Sequence, residues 1–124
     1  MDPANKAKGL VIGFINIHGQ AKLNQAKQNQ IEHLVKVNKC DILHMQETEI
    51  NEGSFEFCPF ISNNFQIIAQ NSETGYGVCS LVHKKFTTEN VFLHPSGRII
   101  AFDIGPLTLI NVYLPSGSDL SAKN

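Results

Sequence analysis

Long apolar runs are missing from this 124-residue chain, and so is any surplus of charge of one sign. The apolar stretches are strand-sized, far short of the ~20 residues a membrane helix needs. The start, MDPANKAKGL, is polar and has no signal-peptide core. Ten Lys and Arg against eleven Asp and Glu leave a formal net charge of −1, which excludes a protein that coats nucleic acid with a broad basic surface. Phosphate contact would have to come from a few placed donors or a bound cation. Cysteine is scarce: three, an odd number, with no C-x-x-C and no metal-type spacing. That argues against a disulfide framework and fits thiols in a reducing compartment. The expected location is nuclear or cytoplasmic, neither secreted nor in a membrane. Internal repeats, low-complexity tracts and interdomain linkers are also lacking. What is present, 42% hydrophobic and 17% charged residues, suits one folded domain with one core.

The chain opens with a continuous β-branched and aromatic run, Gly9 to Ile17 (GLVIGFINI), which reads as a strand buried on both faces. From about Asn24 to Asn38 the period changes. Ile31, Leu34 and Val35 fall on one helical face and polar residues cover the rest. DILHMQ, residues 41–46, is a second short buried strand, so the opening is a βαβ-like unit with its two strands parallel. Five further strands are expected over residues 65–70, 77–85, 88–94, 97–104 and 107–114. The last three separators, KKFT, HPSG and GP, are hairpin-length and predict an antiparallel meander. The expected class is α/β, with one mostly antiparallel sheet and one main helix. One helix cannot cover both faces of such a sheet. If about ten large apolar side chains faced water, at roughly 1.5–3 kcal/mol each, about 15–30 kcal/mol would go unrealised. A domain's whole stability is only ~5–15 kcal/mol. Something else must lie against this sheet.

Polar residues gather at predicted strand ends. Asn16 precedes IHG at the exit of the first strand, Gln46-Glu47 closes the second, and Asn111 and Tyr113 share a face of the last. The carboxyl ends of neighbouring strands are where open α/β sheets place ligand sites. Taken singly, each has a plainer reading: Asn16 as a turn residue, Glu47 as a solvated carboxylate in an acidic loop, Tyr113 as packing. The five His read as surface or packing residues. ETGYGV is followed by a strand, not a helix, and so does not read as a phosphate-cradling loop. Lys84, Lys85 and Arg98 could flank DNA, although paired Lys at a strand end more often protects an edge.

Taken together and in order, N-I-H-G, D-I-L-H-M-Q-E-T, G-Y-G-V and N-V-Y-L-P resemble the endonuclease/exonuclease/phosphatase superfamily. That family includes AP endonucleases, pancreatic-type deoxyribonuclease and inositol-phosphate phosphatases. The likeness is greatest to endonuclease domains of LINE-type retrotransposons, through Q-E-T and Y-L-P-S-G-S-D, and runs from about Leu10 to Asp119. The resemblance implies half of a four-layer α/β sandwich: a polar tail over 1–8, the N-terminal half of the domain over 9–119, and a tail over 120–124. It implies that Glu47 binds Mg2+ (Mn2+ as the alternative), an ion usually held by one or two carboxylates with waters and substrate phosphate. Asn16 matches the Asn beside the metal, Tyr113 the Tyr that donates to the scissile phosphate, and Asn111 its supporting neighbour. DNA is the implied substrate.

The family's G-D-x-N and S-D-H segments do not occur in this sequence. The Asp that activates water and the His that contacts phosphate are therefore not matched. The resemblance thus implies the first half of a Mg2+-dependent endonuclease, inactive by itself, whose sheet needs the missing C-terminal half or a partner to cover it. A non-catalytic remnant of a decayed transposon reading frame and a small-phosphoester phosphatase of the same superfamily are the alternative readings. A binding module is the least supported.

Overall fold

A computed structural model describes residues 9–17, 24–49, 54–55, 58–72 and 76–114. The expected tails lie outside these residues. Nine elements follow one another: β1 (Ile12–Asn16), α1 (Gln25–Asn38), β2 (Ile42–Thr48), α2 (Pro59–Asn64), β3 (Phe65–Gln70), β4 (Gly77–His83), β5 (Glu89–Leu93), β6 (Ile99–Ile104) and β7 (Leu107–Val112).

Helix α1 starts where Asn24 accepts the Lys27 N–H at 2.8 Å, satisfying one orphan donor of the first turn. It stops at Lys39, whose left-handed backbone (φ 52°) turns its N–H back onto the last carbonyls. The buried face of α1 carries Ile31 and Val35 and lies on a four-stranded sheet of order β1-β2-β4-β3. β1 and β2 are parallel and the other pairings antiparallel. Short helix α2, with Pro59 in its first turn, leads directly into β3; the apolar pattern of the sequence did not reveal it. Asp41, just ahead of β2, ties the entry together. Its carboxylate accepts the Val11 N–H at 2.9 Å and pairs with Lys85 at 2.8 Å.

Strands β5, β6 and β7 form a second, three-stranded antiparallel sheet. Period-two alternation distributes the four-stranded sheet between two cores. Leu43 and Met45 of β2, with Cys79 and Leu81 of β4, face the helices. Ile42, Val78 and Val82 face the other way and pack on Ile100 and Phe102 of β6. The molecule is thus layered helix, sheet, sheet.

The α/β class and the mostly antiparallel pairing hold, but the strands form two sheets where one was expected. The KKFT segment is the point of departure. Both edges of β4 are already taken by β2 and β3, so β5 cannot pair with it. The chain instead crosses layers: Phe86 enters the inter-sheet core, and its carbonyl accepts from Gln66 Nε2 at 2.8 Å. HPSG and GP are the hairpin turns expected. The second cover that burial demanded is supplied largely by the chain's own late strands. Apolar surface is left on the far side of the three-stranded sheet, where Phe92, Ala101 and Ile110 form one cross-strand row. Phe92 is 50% and Ile110 55% exposed.

Candidate functional site

The residues singled out in the sequence meet at one end of the sheet-on-sheet contact. β1 and β2 run parallel, so their carboxyl ends coincide, and Asn16 lies in register with Gln46. The β2–β4 register shifts between Gln46 and Thr48. This bulge places Glu47 in the left-handed region (φ 56°), a conformation that disfavours a residue with a Cβ. Period-two alternation is broken there, and Glu47 can turn toward the second sheet. Tyr113, one residue past the end of β7, reaches across and donates its hydroxyl to Glu47 Oε1 at 2.9 Å. Both side chains are half-buried and Asn16 is exposed, so the pair sits at the mouth of the interface, within reach of a ligand.

Asn111, two residues before Tyr113, is the deep member of the set at 1% exposure. It was expected as Tyr113's neighbour, and here it fastens the sheets together. Its Nδ2 donates to the Cys79 carbonyl at 3.0 Å and to Ser80 Oγ at 3.1 Å, while its Oδ1 accepts from Gln46 Nε2 at 2.8 Å. Ser80 Oγ is in turn 2.8 Å from His44 Nδ1. His44 is buried, as the packing reading required, between the rings of Phe14 (5.2 Å) and Phe102 (6.1 Å). Burial disfavours its charged form and brings its pKa down from 6.5 to about 4. Ser80 and His44 carry a signal that the sequence reading passed over. Both are polar residues on the inward face of an otherwise apolar strand, where a buried polar group needs a partner.

Glu47, Asn16 and Tyr113 present oxygen donors only, which suits a hard cation. Among the described residues no group of three or more His, Cys, Asp and Glu gathers. One carboxylate flanked by neutral oxygens is chemistry that a hard divalent cation would accept together with water and phosphate, and the described residues form no all-protein metal cage. Lys84 and Lys85 are engaged with the fold: Lys84 Nζ donates to the Ser62 carbonyl at 3.2 Å, and Lys85 pairs with Asp41.

No family model and no curated protein matches the sequence. Solved structures do match. An AP endonuclease from Archaeoglobus fulgidus is 24% identical with a TM-score of 0.64, covering 86% of this chain and 41% of that one. The 3'-5' exonuclease NExo of Neisseria meningitidis is 21% identical with a TM-score of 0.63, covering 90% and 46%. A truncated TDP2 from Caenorhabditis elegans is 24% identical with a TM-score of 0.60, covering 85% and 46%. The chain shares the fold of the part of each structure that it matches. It spans less than half the length of each of these three structures. Within that fold, the Glu47–Tyr113 pair stands where two sheets open toward solvent. Among the described residues, no helix is long and apolar enough to cross a membrane.

Proposed function

We propose that this chain supplies the N-terminal half of a Mg2+-dependent phosphodiester-cleaving site of the retrotransposon endonuclease type. The single observation that carries the reading is the Tyr113 hydroxyl bonded to the Glu47 carboxylate at the carboxyl end of β2. Glu47 would hold the ion, with Asn16 beside it. Mg2+ bound there would polarise a phosphoryl oxygen and offset charge on the leaving oxygen. Tyr113 is held with its hydroxyl at the site mouth, where it can donate to a phosphoryl oxygen as charge develops. Such preoriented neutral donors stabilise the transition state most where water is excluded. Neighbours described as bound to DNA, a NExo variant with a product DNA hairpin and Danio rerio TDP2 with a single-strand DNA product, favour DNA as the substrate. Q-E-T and Y-L-P-S-G-S-D favour the retrotransposon type. The same NExo structure is described as a 3' phosphatase, which keeps phosphomonoester hydrolysis as the second reading.

The 124-residue chain by itself should not nick supercoiled plasmid in Mg2+. A chimera that continues past Leu114 into the second half of the Archaeoglobus AP endonuclease should nick it. Glu47→Gln and Tyr113→Phe should each slow that chimera by at least ~100-fold, the scale of losing one electrostatic stabiliser. Nicking by a folded chimera that is indifferent to Glu47→Gln overturns the assignment, and efficient release of phosphate from a 3'-phosphoryl end without nicking selects the second reading.

A further inference from the structure

The apolar cluster between the sheets has no directional preference of its own. Ile42, Val78, Val82, Ile100 and Phe102 would pack nearly as well if β7 slid along β2, because burial depends on area and not on angle. What fixes the slide is the hydrogen bonding of Asn111. Its amide is held simultaneously by the Cys79 carbonyl, Ser80 Oγ and Gln46 Nε2, groups contributed by both central strands of the other sheet. Ser80 Oγ accepts from Asn111 Nδ2 and also lies 2.8 Å from His44 Nδ1, so His44 restrains the hydroxyl that Asn111 meets. Two residues beyond Asn111, about 7 Å along a strand, the same backbone delivers Tyr113 to Glu47.

We infer that the buried His44–Ser80 pair is a positioning device: through Asn111 it sets the register of β7 over β2, and with it the Tyr113–Glu47 contact. His44 and Ser80 are assigned no chemical part in the proposed reaction. Their role at the phosphodiester site rests on the reading above, whereas the register claim is geometric and is tested without any activity.

The chain has no Trp and two Tyr, at 76 and 113, so Tyr76→Phe leaves Tyr113 as the sole emitter. A carboxylate that accepts the phenolic proton quenches tyrosine emission. In this background, Glu47→Gln should raise the emission and define the unquenched level. Ser80→Ala and His44→Leu should approach that level with unchanged far-ultraviolet dichroism. His44→Asn, which keeps a polar atom near the Nδ1 position, should restore quenching. Val82→Ala, which loosens the same interface without removing a hydrogen bond, should stay quenched. If Ser80→Ala does not fold, the His44→Leu and His44→Asn pair decides the question. Retained quenching in Ser80→Ala and His44→Leu overturns the inference, and so does equal loss of quenching in Val82→Ala. Either result would leave the nicking assay of the chimera unaffected.

Discussion

Glu47 carries two burdens, a side chain placed for chemistry and a backbone in the left-handed region. Removing the carboxylate with Ala and with Gly separates them. Both variants lose the Tyr113 bond, but Gly alone relieves the φ penalty. Glu47→Gly should therefore be about 1 kcal/mol more stable than Glu47→Ala in urea unfolding. Asn111→Ala leaves several buried partners without their hydrogen bonds and should cost about 3 kcal/mol by the same measurement. His44 gives a pH signature. Its folded pKa of about 4 lies below the ordinary 6.5. Above 6.5 the imidazole is neutral in both states and no stability is lost. Between 6.5 and about 4 the unfolded chain takes up a proton that the fold refuses, so stability falls with pH, by up to about 3 kcal/mol. His44→Phe should flatten that part of the pH–stability curve.

At the scale of elements, the sequence was most informative where period and turn chemistry coincide. Asn24 ahead of Ile31 and Val35 marked α1, and HPSG and GP marked the two hairpins of the second sheet. β3 falls on the expected residues, Phe65–Gln70. The division into two sheets was not legible. KKFT is as short as a hairpin loop, and nothing local says that both edges of β4 are occupied. Helix α2 was missed because six residues span too few turns to show a helical period. The placing of Asn16, Glu47 and Tyr113 at strand ends was legible, whereas the pairing of Ser80 with Asn111 required tertiary contact. The HPSG turn illustrates how elements constrain each other. Gly97 has φ 77°, and a Cβ there would come within 2.4 Å of the Ser72 backbone nitrogen. The turn can therefore dock against the chain leaving β3 only with glycine. Gly97→Ala should lower stability by at least about 2 kcal/mol from the backbone conformation and the clash together, read as a fall in melting temperature with no change in the Tyr113 emission.

For the whole molecule, the helix–sheet–sheet layering leaves one sheet covered on both faces and the other on one. The exposed cross-strand row at Phe92 and Ile110, with Val112 at 43% exposure beside it, is apolar surface that the described residues leave uncovered. The folded chain should enhance the fluorescence of a hydrophobic dye at neutral pH, and a Phe92→Thr/Ile110→Thr double variant should reduce that enhancement while leaving the dichroism spectrum unchanged. The position of the site also governs when it can exist. Glu47 and Tyr113 are 66 residues apart in the chain, and Gln46 and Asn111 are 65 apart. Closing a loop of that size costs ~4 kcal/mol of chain entropy, and the register bonds that offset it form in the same step. On the ribosome, β2 emerges long before β7, so a nascent chain can complete α1 and the four-stranded sheet with no site at all. Its inward polar residues His44, Ser80 and Gln46 would stay wetted until β7 arrives. The Glu47–Tyr113 pair can therefore form only after β7 has emerged, and its presence reports that the second sheet has docked on the first.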